Sequence, residues 1–372
     1  MSRRVYLDFN ATAPVRPAVR EAMLEALGQL GNPSSLHAEG RAARGRREAA
    51  REAIAALIGA RLPEIIFTSG GTEANSLALL GCERPRLLVS AGEHPSVLDA
   101  RPDAQRVPLK SDGRLDCAAL AELLASGEDP ALLSVQLANN ETGVIQPIEQ
   151  IVELARSAGA LVHCDAIQAA GKLPLDVAAL GVDLLSLSAH KLGGPQGVGA
   201  LWVRDGLELA PLLRGGGQEL RRRAGTENLP GIVGFGVAAE SALDGLGRMA
   251  NLATWRDRME QRIASAEPAV QIIGAEAPRL PNTSCLASPV LRAELQLMAL
   301  DLAGFAVSSG SACSSGKVGP SHVLQAMGVK PERLDKAIRV SLGWSSEAED
   351  VEAFTEAWIE LHRRRRSGSA VS

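Results

Sequence analysis

Aromatic side chains are scarce in this chain: four tryptophans, one tyrosine and five phenylalanines among 372 residues. Leu, Ala, Val and Ile must therefore do the packing. Hydrophobic residues make up 46% of the chain, enough for a sizeable core and too many for a disordered one. Cysteine is sparse as well. Cys82, Cys117, Cys164, Cys285 and Cys313 sit far apart with no CxxC pair, which argues against a zinc ribbon or a dithiol redox motif and fits a reducing compartment. No metal site is expected. No window approaches the roughly 18 uninterrupted apolar residues of a membrane span, and the start, MSRRVYLDFNATAPV, holds no apolar stretch long enough for a signal peptide. The expectation is a soluble cytoplasmic protein with no membrane partner. Charge of one sign is not in excess either: the formal net charge is −4, so nucleic acid is not an expected partner.

What is present is an alternation. An Ala/Arg/Glu-rich stretch over about residues 39–58 reads as an amphipathic helix. Short apolar runs follow, at Ile65–Thr68, Leu87–Ser90, Leu132–Leu137, Leu161–His163 and Leu184–Leu187, with helical stretches between most of them. This rhythm argues for an α/β fold with a mainly parallel sheet covered by helices. Ligands of such sheets collect at the carboxyl ends of the strands, and the polar residues of interest stand directly after these runs. Residues 205–230 read as loop, a long helical stretch follows over about 231–267, and the chain is long enough for a second, smaller domain. The tail from Arg363 to Ser372 reads as a basic, frayed end.

Lys191 lies in Ser188-Ala189-His190-Lys191, just after an apolar strand. Held in a cleft, its amine can stay neutral and form a Schiff base with an aldehyde cofactor; taken alone it reads as a surface-loop lysine. Asp165 closes the strand Leu161–Cys164, where a buried carboxylate can pair with a protonated ring nitrogen or simply cap a helix. Ser69-Gly70-Gly71-Thr72-Glu73 joins a strand to a helix and offers a phosphate cradle, or an ordinary glycine turn. It lacks the Gly-Lys-Ser/Thr ending of a nucleotide loop and the GxGxxG spacing. His94 can stack on a planar ring and shuttle protons, or mark the turn before Pro95. His163 reads as a buried, satisfied histidine. Cys313 stands in a run of small residues, Ser308 to Gly316, where a thiol is exposed, whereas Cys164 and Cys285 sit in apolar surroundings. Arg339, inside an apolar strand, needs an anionic partner: a substrate carboxylate or an internal salt bridge.

Together these motifs resemble the class V, fold-type-I pyridoxal-phosphate enzymes, most closely the cysteine desulfurases of the nitrogen-fixation and housekeeping iron–sulfur type. The resemblance runs through Tyr6-Leu7-Asp8 with Ala11–Val15, Gly31–Ser35, Phe67–Glu73, Asn139–Gly143, Asp165–Gln168, Ser188–Lys191, Ala224–Asn228 and Ser308–Cys313. It implies a large domain with a seven-stranded-type sheet and a smaller α+β domain. The division would be an arm over 1–17 packing with the small domain, a cofactor-binding domain over 18–255, a small domain over 256–362 carrying the Cys313 loop, and the tail over 363–372.

The resemblance also assigns roles. Lys191 would carry pyridoxal phosphate and move the substrate's α-proton. Asp165 would pair with the ring nitrogen, His94 would stack on the ring, and Gln168 and Asn140 would contact its phenolic oxygen, Asn140 also lying near the substrate. Gly71, Thr72, Ser188 and His190 would hold the phosphate, joined by Thr226 from a neighbouring subunit, which implies a homodimer with shared sites. Arg339 would clamp the carboxylate of L-cysteine, and Cys313 would receive its sulfur as a persulfide, leaving alanine. An iron–sulfur scaffold or another thio-cofactor system would accept the sulfur. Leu220 stands where an arginine is frequent, and Gly217 replaces a histidine of some members. The alternatives are a selenocysteine lyase, a desulfinase or an aminotransferase on the same scaffold, or an idle persulfide carrier.

Overall fold

The run rich in alanine, arginine and glutamate forms the helix Ala38–Ile58. His37 caps its start, Nδ1 accepting from the Gly40 amide at 3.3 Å, and Gly59 stops it at a φ of +65°, a conformation glycine adopts without a Cβ clash. Its apolar face, with Ile54 and Ile58 fully buried, packs on the helix Leu229–Asp244. The computed structural model describes residues 4–309 and 320–369, with side chains to Arg365.

The strands are β1 (Val5–Tyr6), β2 (Ile65–Thr68), β3 (Arg86–Ser90), β4 (Gln105–Val107), β5 (Ala131–Gln136), β6 (Leu161–Asp165), β7 (Leu184–Ser188), β8 (Gly199–Val203), β9 (Gln271–Ile272), β10 (Thr283–Ala287), β11 (Phe305–Ala306), β12 (Ser308–Ser309) and β13 (Ala337–Ser341). Seven of them form the main sheet in the order β2-β8-β7-β6-β5-β3-β4. β8 alone runs against its neighbours; the pairs β7–β6, β6–β5, β5–β3 and β3–β4 are parallel. Both faces are covered by helices, so the central strands are near-continuous apolar runs rather than alternating ones. Leu132, Leu133, Leu184, Leu185 and Leu187 are all fully buried. Register sets Asp165 of β6 opposite Gln136 on one side and Ser186 on the other, so the carboxyl ends of three strands meet at one edge.

A second core lies around an antiparallel sheet ordered β12-β13-β10-β9. Phe354 and Trp358 of the helix Ala348–Ser369 and Met259 of the helix Met249–Ala266 fill it. The N-terminal residues join this layer: β1 pairs in parallel with β11, and the Leu7 carbonyl accepts from the Ser341 amide at 2.8 Å.

Two expectations change. The helical stretch expected over about 231–267 is two helices, Leu229–Asp244 and Met249–Ala266, separated by a tight turn over Gly245–Arg248. Gly245 and Gly247 are the weak helix formers there. The tail expected to fray from Arg363 instead continues the last helix to Ser369. Arg364 pairs with Glu360 one turn earlier at 2.7 Å, a spacing that supports helix.

Candidate active site

The carboxyl-terminal edge of the main sheet opens into a cavity of about 310 Å³. Nine residues singled out from the sequence line it: Gly71, Thr72, His94, Asn140, Asp165, Gln168, Ser188, His190 and Lys191. Each arrives from the end of a strand or the loop after it, the placement expected of an open α/β sheet.

Lys191 ends a single turn, Ala189–Lys191, directly after β7. Its Nζ donates to the carbonyls of Asn10 and Ala11, both at 2.7 Å. Asp165 is the last residue of β6 and is 6% exposed. Its Oδ2 accepts from Asn75 Nδ2 at 2.9 Å, and its Oδ1 accepts from the Ile167 amide at 3.0 Å. Burial raises its carboxyl above the ordinary range, against the opposing pull of these two donors and of His94 and Lys191. A buried carboxylate in that condition favours a cationic partner.

His94 is the N-cap of the short helix Pro95–Leu98, with Nδ1 2.8 Å from Ser96 Oγ and 3.1 Å from the Ser96 amide. Burial lowers its pKa, opposed by the nearby charge of Asp165, so the ring is neutral near pH 7 and able to accept a proton. His190 is pushed down to about 4, by burial and then by Lys191.

Gly71 begins the helix Gly71–Gly81, and its N-cap Gly70 supplies no side-chain cap. The first amides are therefore left to bind an anion at the positive end of the helix dipole. Thr226 is exposed and is absent from this cavity's lining. Arg339 in β13 donates through Nη2 to Asp8 Oδ1 at 2.7 Å and through Nη1 to the Asn140 carbonyl at 3.0 Å. The sequence left an internal ion pair open for this arginine, and one is present. Its buried Nε has no partner among the described residues. Cys313 lies outside the described residues. β12, which precedes it in the chain, pairs Ser308 with Arg339. His163 is enclosed and satisfied, as its strand context suggested, 2.8 Å from Ser134 Oγ and 2.9 Å from Ser186 Oγ.

The structure adds residues that the sequence reading missed. Asn75 holds Asp165. Asn10 joins several of the site's groups, its carbonyl accepting from Lys191 and from Gln168 Nε2 at 3.0 Å. Glu93, buried beside His94, accepts from the Gln136 amide at 2.7 Å. Burial, then the charge of Asp165, raises its carboxyl well above the ordinary range. The only sequence signal for Asn75 was its place one turn after Gly71 on the same helix. Asn10 gave none, since its partners lie far along the chain.

A cysteine desulfurase of Cereibacter sphaeroides is 47% identical over 362 residues, 93% of this chain and 92% of that protein. The X-ray structure of a NifS-like protein from Rickettsia africae superposes with a TM-score of 0.90 at 35% identity, covering 97% of this chain and all of that one. A structure described as SspA in complex with cysteine superposes with a TM-score of 0.78 at 32% identity, covering 91% and 98%. The sequence model of the aminotransferase class-V family matches residues 5–354, and this chain belongs to that family.

Proposed function

We propose that this chain is a pyridoxal-phosphate-dependent cysteine desulfurase, which converts L-cysteine to L-alanine and passes the sulfur to Cys313 as a persulfide. The observation that carries the reading is the pairing of Lys191 and Asp165 around one cavity large enough for a small cofactor. The donor set suits pyridoxal phosphate at each of its ends. Asp165 would hold the ring nitrogen, where its raised carboxyl gains the cation it lacks. The free amides at Gly71 and Thr72, with Ser188 and His190, would hold the phosphate. Gln168 and Asn140 would contact the phenolic oxygen, His94 would stack on the ring, and Lys191 would carry the aldehyde carbon.

When bound, pyridoxal phosphate supplies an electron-withdrawing ring that stabilises negative charge at the substrate's α-carbon. The chain's own residues do the rest. Lys191 moves the α-proton. Arg339, with an unpartnered Nε, clamps the substrate carboxylate. Neutral His94 moves a proton at the sulfur. Cys313 takes the sulfur, and the other cysteines are poorly suited to it. Burial pushes the Cys82 thiol up to about 11, Cys285 up to about 12 and Cys164 well above its ordinary range, and it raises Cys117 as well.

The same reading extends to a homodimer with shared sites in the cytoplasm, delivering sulfur to an iron–sulfur scaffold or a related acceptor. For the shared sites, the support is the exposed Thr226 together with a second cavity, of about 650 Å³, between Pro33–Ser34 and Gly217–Leu220. Leu30, Leu36 and Leu220 are exposed on or beside those segments.

The test is an absorbance spectrum recorded during L-cysteine addition, with alanine and sulfide quantified. Lys191→Ala loses the visible chromophore of the lysine-bound cofactor; an unchanged spectrum contradicts the assignment. Cys313→Ser binds cysteine and perturbs the spectrum yet forms little alanine; full turnover by that variant removes the persulfide step.

A further inference from the structure

A buried amine lies behind the cavity and has no place in the reaction described so far. Lys172 sits in the turn after Gln168 and is 8% exposed. Its Nζ donates to Gln168 Oε1 at 2.7 Å and to Asn10 Oδ1 at 2.9 Å. A lysine nitrogen offers three N–H donors when charged and two when neutral, so both contacts hold in either state. Burial, then the charges of Lys191 and Arg339, push this amine well below its ordinary range.

Both contacts are made to amide oxygens, so the amine sets the orientation of the Gln168 amide and, with Asn282 Nδ2 donating to the same oxygen at 3.1 Å, that of the Asn10 amide. The NH2 group of Gln168 is turned away from Lys172 and donates to the Asn10 carbonyl at 3.0 Å. The NH2 group of Asn10 donates to Thr283 Oγ1 at 2.9 Å and to the Asn140 carbonyl at 3.2 Å. Lys191 docks on the same Asn10 carbonyl, and both Asn10 and Gln168 line the cavity.

We propose that Lys172 is a positioning residue: it presents the Gln168 NH2 group, rather than its oxygen, to the cofactor's phenolic oxygen, and by holding the Asn10 side chain and turning the Gln168 NH2 group onto the Asn10 backbone carbonyl it steadies the carbonyl on which Lys191 rests. The proposal depends on the cavity being the pyridoxal-phosphate site. A merely structural lysine would change the unfolding midpoint and leave the bound cofactor's spectrum alone.

The experiment uses the full chain as wild type, Lys172→Met, Gln168→Glu, Gln168→Ala and the Lys172→Met/Gln168→Ala double variant, each titrated with pyridoxal phosphate. Two quantities are read: the dissociation constant, and the pH midpoint of the bound cofactor's visible absorbance. Lys172→Met weakens binding about tenfold, the scale of a lost buried hydrogen bond to the ligand-facing amide, and raises the midpoint by about half a pH unit or more as the phenolic oxygen loses its donor. Gln168→Glu keeps an acceptor for Lys172 but lacks the NH2 group, and raises the midpoint likewise. In the Gln168→Ala background, Lys172→Met moves the midpoint by less than half as much as it does alone. A wild-type midpoint in Lys172→Met or in Gln168→Glu, or strict additivity in the double variant, overturns the proposal while leaving the cofactor assignment standing. A wild-type protein that forms no lysine-borne chromophore overturns the cofactor assignment and this inference with it.

Discussion

Arg339 is the fully buried cation whose environment says most about the substrate. Two of its nitrogens are engaged by Asp8 and the Asn140 carbonyl, and the third, Nε, faces no partner among the described residues. With both Nη groups held, the planar fork leaves Nε directed at a fixed place for a carboxylate oxygen, which a lysine ammonium cannot copy. Arg339→Lys is therefore expected to raise KM for L-cysteine by about 10- to 100-fold, on the scale of one charge-assisted hydrogen bond, with a smaller change in kcat. Steady-state alanine formation checks it. His163 makes a prediction about pH instead. Burial between two serines pushes it down to about 3, whereas the unfolded chain takes up its proton near 6.5. The folded state thus refuses a proton that the unfolded state accepts. Its stability is whole above about pH 6.5 and falls by about 1.4 kcal/mol per pH unit between there and about pH 3. Urea unfolding at pH 7 and pH 5 should differ by about 2 kcal/mol through this residue, and His163→Asn should flatten that part of the profile.

Among the elements, the helix Gly71–Gly81 starts in a tight place. A Cβ added to Gly71 would lie 2.3 Å from Ile167 Cδ1 and 3.5 Å from Ser188 Cβ. Ile167 lines the cavity, so the side chain that has to shift is one that shapes the cofactor's space. Gly71→Ala is expected to weaken pyridoxal-phosphate binding by about 10- to 100-fold, matching an overpacking cost of about 1–3 kcal/mol; equilibrium titration of the cofactor checks it. The ends of β5, β6 and β7 were legible in the sequence because doubly covered parallel strands are continuous apolar runs, and a polar residue straight after such a run stands out. Asp165, Ser188 and Lys191 were found that way. Asn10 was not, because its value lies in contacts with Lys172 and Lys191, 162 and 181 positions away, and Lys172 was not, because its role depends on meeting Asn10; no local period records such a meeting. The break at Gly245–Arg248 was hidden by apolar spacing that continues across it.

At the scale of the whole molecule, Glu219 joins three regions. Its carboxylate takes both ends of the buried Arg51 guanidinium at 2.9 and 3.0 Å and the Phe67 amide at 2.9 Å. The loop before Thr226, the helix Ala38–Ile58 and β2 thus meet on one side chain. Glu219, Leu220 and Arg221 all have positive φ, from 46° to 65°, a strain that non-glycine residues hold only under strong constraint. Glu219→Ala is expected to cost about 1.5–3 kcal/mol by removing the bidentate partner of the buried Arg51, which keeps Glu48 and the Ile65 carbonyl, read as a lower denaturant midpoint. Glu219→Gln, which keeps the shape, should cost less.

Residues 5–10 tie the two halves of the molecule in a different way. β1 is zipped to β11 in the second layer, and four residues on, the Asn10 carbonyl touches Lys191 in the first. Any slip of one layer against the other must pull on that carbonyl like a bowstring. Trimming the chain through Tyr6 would slacken it, and the injury would surface at the Lys191 amine, 181 positions from that carbonyl, as a fault in colour.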